Sequence, residues 1–456
     1  MTDGESLLSV RNLKKHYPIT EGILSKEVGR VRAVDGIDFD VHRGETVGLV
    51  GESGCGKSTA ASCITLLEEP TEGEIIFNTN GGAHTDAPRG PDGAHPNDAT
   101  TFTGERRKDF QRKVQMIFQD PSSSLDPRMT IGETVAEPLR IHGITDNEQR
   151  REIVKNLLER VGLDAEDYHR FPHEFSGGQK QRISLARALV TNPELIVADE
   201  PVSALDVSIQ AEILALINEV QEEFGLSILV ISHDMGVIRE VSDRVAVMYL
   251  GEIVEIGPTE ELFADPQHPY TEALLSSIPQ PDPRQRGEGI ELTGDVPSPS
   301  NPPSGCRFHT RCHRVIQPEG YDFEQREWRA VMDLRDRLAR RAIDVEAARE
   351  LVVAESDTGA VEEVSAEETA AAIRQELDIP ERLSDPSGES VVAEALEAIV
   401  QEDFERADDR LASEFETVCE REAPELSETE AGHPAACHLH ESGVETDALQ
   451  QAFSED

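Results

Sequence analysis

The stretch Val47-Gly48-Leu49-Val50-Gly51-Glu52-Ser53-Gly54-Cys55-Gly56-Lys57-Ser58-Thr59 decides the fold. Upstream, AVDGIDFDVHRGETVGLV (33–50) alternates and then runs apolar, which predicts strands ending in a buried one. Downstream, ASCITLLEE (61–69) has helical spacing. Strand, glycine-rich loop and helix, in that order, are the setting in which GxxxxGK[ST] binds phosphate. Glycines let successive backbone N–H groups converge on phosphate oxygens, aided by the helix N-terminus. Lys57 is placed to bring a point charge to the β/γ-phosphates, and the Ser58 hydroxyl to coordinate magnesium. Gly51, Glu52, Ser53, Gly54, Cys55, Gly56, Lys57, Ser58 and Thr59 are therefore the candidate nucleotide-binding residues.

Working outward, residues 74–115 contain a polar Gly/Pro-rich stretch with the composition of an inserted flexible loop, followed by a basic helix. Residues 146–190 have a helical pattern, LIVAD (195–199) a strand pattern, 207–224 a helical one, and SILVIS (227–232) and 244–256 strand patterns again. Helices alternating with buried apolar strands predict an α/β domain with a mostly parallel sheet. Asp199 and Glu200 then fall just beyond a buried strand, at the sheet edge where α/β proteins bind ligands. Asp199 can hold magnesium through water, and Glu200 can orient and deprotonate a water that attacks the γ-phosphate.

Between these elements lies Phe175-Ser176-Gly177-Gly178-Gln179-Lys180-Gln181-Arg182. Alone, Ser-Gly-Gly-Gln is a helix N-cap; after a phosphate loop and before a strand ending in Asp-Glu, it resembles the signature of ABC-type ATPases. The resemblance implies a P-loop nucleotide-binding domain with a RecA-like core, an antiparallel β subdomain and a helical signature subdomain. It implies ATP and Mg2+ as ligands, with Ser58, Gln119 and Asp199 around the magnesium. Tyr17 matches the aromatic that stacks on adenine, Gln119 the glutamine that approaches magnesium and senses the permease, and His233 the histidine that contacts the γ-phosphate and holds Glu200. Ser203-Ala204-Leu205-Asp206 matches the loop that crosses the dimer interface. Ser176, Gly177, Gly178 and Gln179 of a partner subunit would complete each site, so hydrolysis would need a dimer.

Three further stretches resemble the oligopeptide/dipeptide importer ATPases: YPITEGILSKEVGRVRAVDGIDFDV, RFPHEFSGGQKQRISLARAL, and TGDVPSPSNPPSGCRFHTRC after QHPYTEALLSSIP. The likeness covers residues 1–315 and resumes at about 418–440. It implies a peripheral subunit on the cytoplasmic face of the membrane, a second related ATPase, two transmembrane permeases and an extracellular peptide-binding protein. Nickel importers share much of the pattern, and a soluble ABC machine acting on a macromolecule is the contrasting class. The distance of about 120 residues from phosphate loop to SGGQ leaves no room for the coiled coil of chromosome-repair ATPases, and no basic groove for nucleic acid can be read.

The chain has 456 residues and a formal net charge of -47, from 43 Lys+Arg against 90 Asp+Glu. Both the first 315 residues (-20) and the remainder (-27) are acidic. Such a field opposes binding to nucleic acid or anionic lipid. A carboxylate-rich surface with Arg favoured over Lys fits a very salty cytoplasm, where screening tolerates the repulsion; the alternative is an acidic interaction tail. No apolar run spans a membrane and no signal peptide is visible, which predicts a cytoplasmic chain.

The expected organisation is a nucleotide-binding domain over 1–280, a Pro-rich linker with the first half of the C-terminal extension over 281–315, an acidic insertion over 316–417, and the second half of the extension with a tail over 418–456. Within the insertion, 323–352 and 388–416 have helical patterns whose charge fits either a packed subdomain or partial disorder. Cys55 and Cys63 read as small core or loop residues. Cys306, Cys312, Cys419 and Cys437 resemble Cys-bearing pieces of the importer tail and suit a [4Fe-4S] cluster, a structural zinc or reduced thiols. About 100 residues separate Cys312 from Cys419, but loop-closure cost grows only logarithmically, so the four can still meet.

Overall fold

The computed structural model of the protein describes residues 5–22, 26–78, 89, 93–278, 289–290, 292, 294–356 and 364–441. Of the polar stretch expected within 74–115, residues 79–88 and 90–92 lie outside the described residues, as do 279–288, 291 and 293, just before and early in the linker expected over 281–315, and the tail after 441.

In chain order the strands are β1 (Ser6–Glu21), β2 (Lys26–His42), β3 (Thr46–Val50), β4 (Glu72–Phe77), β5 (Val114–Ile117), β6 (Leu195–Asp199), β7 (Ser227–Ser232), β8 (Arg244–Tyr249), β9 (Glu252–Pro258), β10 (Ser427–Glu428) and β11 (Pro434–Ala435). β2, β1 and β4 form a small antiparallel sheet. The main sheet has the order β10-β11-β9-β8-β3-β7-β6-β5, parallel from β8 to β5. Thr46–Val50 is buried at every position because strands on both sides and helices on both faces cover it. Gly48 leaves room for one of those helices, since a Cβ there would stand 2.6 Å from Ile238 Cγ2.

A helical subdomain follows β5. Helices Ile131–Ile141, Asn147–Arg160 and Gly177–Leu189 pack through Val135, Leu139, Val154, Leu158 and Ile183. The first starts with a reciprocal Thr130/Glu133 capping box, which satisfies two otherwise unpaired N–H groups. With the antiparallel sheet and the phosphate-loop core, this gives the three-part ABC architecture that the sequence predicted.

The acidic insertion folds, in its described part, into packed helices: Gln325–Ala339, Val345–Ser356, Ala366–Glu376, Pro386–Val400 and Phe404–Phe415. Trp328 is fully buried against Phe323 (5.5 Å) and Phe415 (5.7 Å), which supplies the aromatic anchor that a charge-rich sequence otherwise lacks. One connected apolar core runs from Val50 through Phe308 and Trp328 to Phe415.

After the insertion the chain returns to the main sheet. β10 and β11 form a hairpin whose Ala435 pairs with Glu255 of β9. His433 Nε2 lies 2.8 Å from Glu255 Oε1, with the two side chains 1% and 0% exposed. Glu255 also accepts from the backbone N–H groups of Gln267 and His268, so a buried charge is shared among three donors.

Candidate active site

The phosphate loop leaves β3 at Gly51, where a Cβ would collide with Met248 O at 2.1 Å. It enters helix Lys57–Ile64 at Gly56, whose φ of 110° is left-handed and whose Cβ would meet Ala33 O at 1.9 Å. Both positions therefore require glycine. Lys57 is 5% exposed, and its ammonium donates to Gly51 O (2.7 Å) and Glu52 O (2.9 Å) across the curl of its own loop. Beyond it, Ser58 Oγ donates to Asp199 Oδ1 at 3.1 Å, which joins the loop to the end of β6. Burial, with Glu200 beside it, pushes the Asp199 carboxyl above its usual range despite the Ser58 hydrogen bond. A cation between Ser58 and Asp199 would relieve that cost, so the residues present fit a magnesium ion.

Glu200 follows Asp199 in a left-handed conformation (φ 45°), uncommon for a residue with a Cβ. Its N–H donates to Ile231 O (2.9 Å), which holds the turn and directs the carboxylate between two partners. Gln119 Nε2 donates to Glu200 Oε2 at 2.6 Å, and His233 Nδ1 lies 2.9 Å from Glu200 Oε1. Gln119 and His233, from the ends of β5 and β7, thus meet at the Glu200 carboxylate beyond β6; the His233 contact is the one the sequence pointed to, whereas the Gln119–Glu200 hydrogen bond was not foreseen.

An open cleft is lined by Ser53, Gly54, Gly56, Lys57, Ser58, Thr59, Gln119 and Glu200, together with Val31, Ala33 and Pro299. The last three were not foreseen. Pro299 lies in the stretch read as a linker, yet its carbonyl accepts from Arg32 N–H at 3.0 Å, which brings it to the mouth of the cleft. No sequence pattern signals this contact.

Tyr17 stands to the side, its hydroxyl donating to Glu68 Oε2 at 2.6 Å with Lys15 over its ring. Burial and the Glu68 carboxylate push its phenol up to about 12. Ser176 caps helix Gly177–Leu189 through a reciprocal box with Gln179. Gly178 allows that helix to meet the next, since a Cβ would stand 2.6 Å from Ile209 Cγ2. Asp206 precedes helix Val207–Phe224 without capping it by its side chain, and Val207 is 81% exposed. Among the described residues, the cleft lining includes none from 176–179 or 203–206.

The four later cysteines do come together. Cys306, Cys312, Cys419 and Cys437 line one small enclosed cavity with His268, His309 and His438. Cys306 N–H donates to Cys419 O at 2.8 Å, so the two halves separated by the insertion meet directly. Burial pushes all four thiols up, Cys437 to about 12. Among the described residues no group of three or more His, Cys, Asp or Glu is arranged to hold a metal ion. Cys55 and Cys63 are buried, as expected of core residues.

The parallel core, the glycine-rich loop and the Gln119-Glu200-His233 constellation define an ABC-type ATPase. Residues 34–203 match the family described as ABC transporter, 254–317 the Oligopeptide/dipeptide transporter, C-terminal region, and 325–432 a Domain of unknown function (DUF8228). The oligopeptide transport ATP-binding protein AppF of Bacillus subtilis is 50% identical over 313 residues, 68% of this chain and 89% of that protein. The dipeptide transport ATP-binding proteins DppF of Haemophilus influenzae and of Escherichia coli are 46% identical over 311 residues and 44% over 314, covering 68% and 69% of this chain and 90% and 89% of theirs. The chain therefore belongs to the oligopeptide/dipeptide transporter family of ABC ATP-binding subunits, which hydrolyse ATP to drive transport.

Proposed function

We propose that this chain binds and hydrolyses ATP to power import of oligopeptides or dipeptides, seated peripherally on the cytoplasmic face of the membrane beneath two permeases and paired with a second ABC ATPase. An extracellular binding protein would deliver the peptide. The observation that carries the reading is the match of residues 254–317 to the oligopeptide/dipeptide transporter C-terminal region. Among the described residues no helix is long and apolar enough to cross a membrane.

In this reading Tyr17 stacks on adenine, the backbone of 51–59 and Lys57 hold the phosphates, and Ser58, Gln119 and Asp199 face magnesium. Held by these residues, the ion would supply positive charge to offset the phosphate charge. Glu200 accepts a proton from water as the water oxygen bonds to the γ-phosphorus and the bond to the ADP oxygen breaks. His233 and Gln119 hold that carboxylate in line. Ser176, Gly177, Gly178 and Gln179 of the partner ATPase close the cleft, with Asp206 at the same interface. Purification from native membranes in high salt tests the assignment. Two permeases, a second ATPase and a bound peptide support it; a nickel ligand changes the cargo, and a soluble complex with ribosomes or DNA overturns it.

The four clustered cysteines support a [4Fe-4S] site. Anaerobic purification followed by iron and labile-sulfide assay decides it: both in equal amount support the cluster, and zinc or neither removes it. The acidic surface supports life in a salty cytoplasm.

A further inference from the structure

Glu52 is the second residue of the phosphate loop, and it is gripped from outside the nucleotide-binding core. Its backbone N–H donates to the hydroxyl of Tyr270, a fully buried side chain on helix Pro269–Ser276. Its carboxylate receives both arms of Arg311, Nη1 to Oε2 at 2.7 Å and Nη2 to Oε1 at 3.0 Å. Its carbonyl accepts from Lys57. Every polar group of this residue is thus committed, its carbonyl also to the Cys55 N–H, and Tyr270 and Arg311 both lie within residues 254–317, the stretch that matches the transporter C-terminal region.

Arg311 is 5% exposed and sits in the short turn His309–Arg311, between Cys306 and Cys312. That turn is itself braced. Arg329, from the first helix of the acidic insertion, donates to the carbonyls of His309 (3.1 Å), Thr310 (2.6 Å) and Cys312 (3.3 Å) and pairs with Asp333. A continuous path of hydrogen bonds therefore leads from the insertion, through the cysteine turn, to the phosphate loop.

We infer that Arg311 is a positioning residue for ATP binding: the cysteine turn holds the phosphate loop in shape through the bidentate Arg311–Glu52 pair, so the C-terminal extension is a working part of the nucleotide site. The inference rests on residues 51–59 being the ATP-binding loop. Its physical basis is pre-organisation. A glycine-rich loop loses much conformational freedom when its N–H groups converge on phosphate, and a loop already fixed at Glu52 loses less on binding. Only a planar fork can hold both carboxylate oxygens at once, which is why this position needs arginine and not a point charge.

The test uses the full chain with fluorescent ATP analogue and Mg2+ for affinity, and the same chain assembled with its partner ATPase for steady-state turnover. Arg311→Met and Glu52→Gln are each expected to weaken binding and raise KM by about tenfold, while kcat changes far less; about tenfold is the loss of one modest ordering contribution. Arg311→Lys should restore affinity only in part. The double variant should bind no worse than either single one, because both remove the same pair. Glu52→Gln leaves the cysteine turn untouched, so it reports on the pair even where Arg311→Met unfolds the extension. Folded single variants with wild-type affinity, or effects that simply multiply in the double variant, would overturn the inference. Failure of the wild-type chain to bind the analogue would instead remove the phosphate-loop reading itself.

Discussion

His233 Nδ1 stands 2.9 Å from Glu200 Oε1, at a residue whose backbone is held in a left-handed turn. The imidazole comes from the end of β7 and the carboxylate from the end of β6, so neighbouring parallel strands set their separation. Gln119 takes the other oxygen, which leaves Glu200 little freedom to rotate.

Replacing the carboxylate by its isosteric amide should therefore keep ATP binding and remove proton acceptance. Glu200→Gln is expected to lower kcat by roughly 10²–10⁴-fold, the usual contribution of a general base. Single-turnover hydrolysis checks this; unchanged turnover excludes Glu200 as the base. His233→Ala should give a smaller loss in kcat.

Gly178→Ala forces a methyl to within 2.6 Å of Ile209 Cγ2, so either Ile209 or the start of the signature helix must give way. Under the proposed pairing, in which the signature would serve the opposite subunit's nucleotide, this variant is expected to bind ATP normally yet hydrolyse it slowly when assembled with a wild-type partner ATPase. Equilibrium binding and turnover, measured on the same preparation, separate the two effects.

Two buried histidines give the fold a pH window. His268 is pushed down to about 4 by burial, so the unfolded chain binds its proton first as pH falls below the ordinary histidine range. Its contribution is complete above about 6.5 and is lost progressively toward pH 4, a change of about 3 kcal/mol. His433 moves the other way: the Glu255 hydrogen bond, opposed by burial, holds its pKa above the usual value. That stabilisation is present below about pH 6.5 and is lost as pH rises through the elevated pKa. Denaturant unfolding across pH should show stability falling on both sides. His433→Gln should flatten the alkaline limb only; an unchanged alkaline limb contradicts the pairing.

A net charge of -47 on one chain repels itself strongly in dilute buffer. Raising salt from about 0.1 M to 1 M shortens the screening length from about 10 Å to about 3 Å. The thermal midpoint is expected to climb steeply over that range, as read by calorimetry in KCl; a midpoint that falls with salt contradicts the salt-adapted reading.

Much of the site was legible because its chemistry is local. Gly51 to Thr59, Asp199-Glu200 and His233 each follow a predicted strand, and the parallel sheet brings the strand ends together. Pro299 and the Tyr270–Glu52 and Arg311–Glu52 contacts were not legible, since they join positions more than 200 residues apart and no periodicity encodes them. The insertion left packing and disorder equally open because its charge argued against a core. Trp328, Phe323 and Phe415 decide for packing, but their meeting joins two segments far apart in the sequence, 323–328 and the helix Phe404–Phe415.

ATP hydrolysis at this site is coupled, in the proposed function, to peptide import. Its most direct test is ATP turnover by this chain, assembled with its partner ATPase and permeases in proteoliposomes, with and without peptide-loaded binding protein. Loaded binding protein is expected to stimulate hydrolysis and peptide to accumulate in the lumen, both lost in Glu200→Gln. Hydrolysis indifferent to the binding protein, with no peptide uptake, would contradict it.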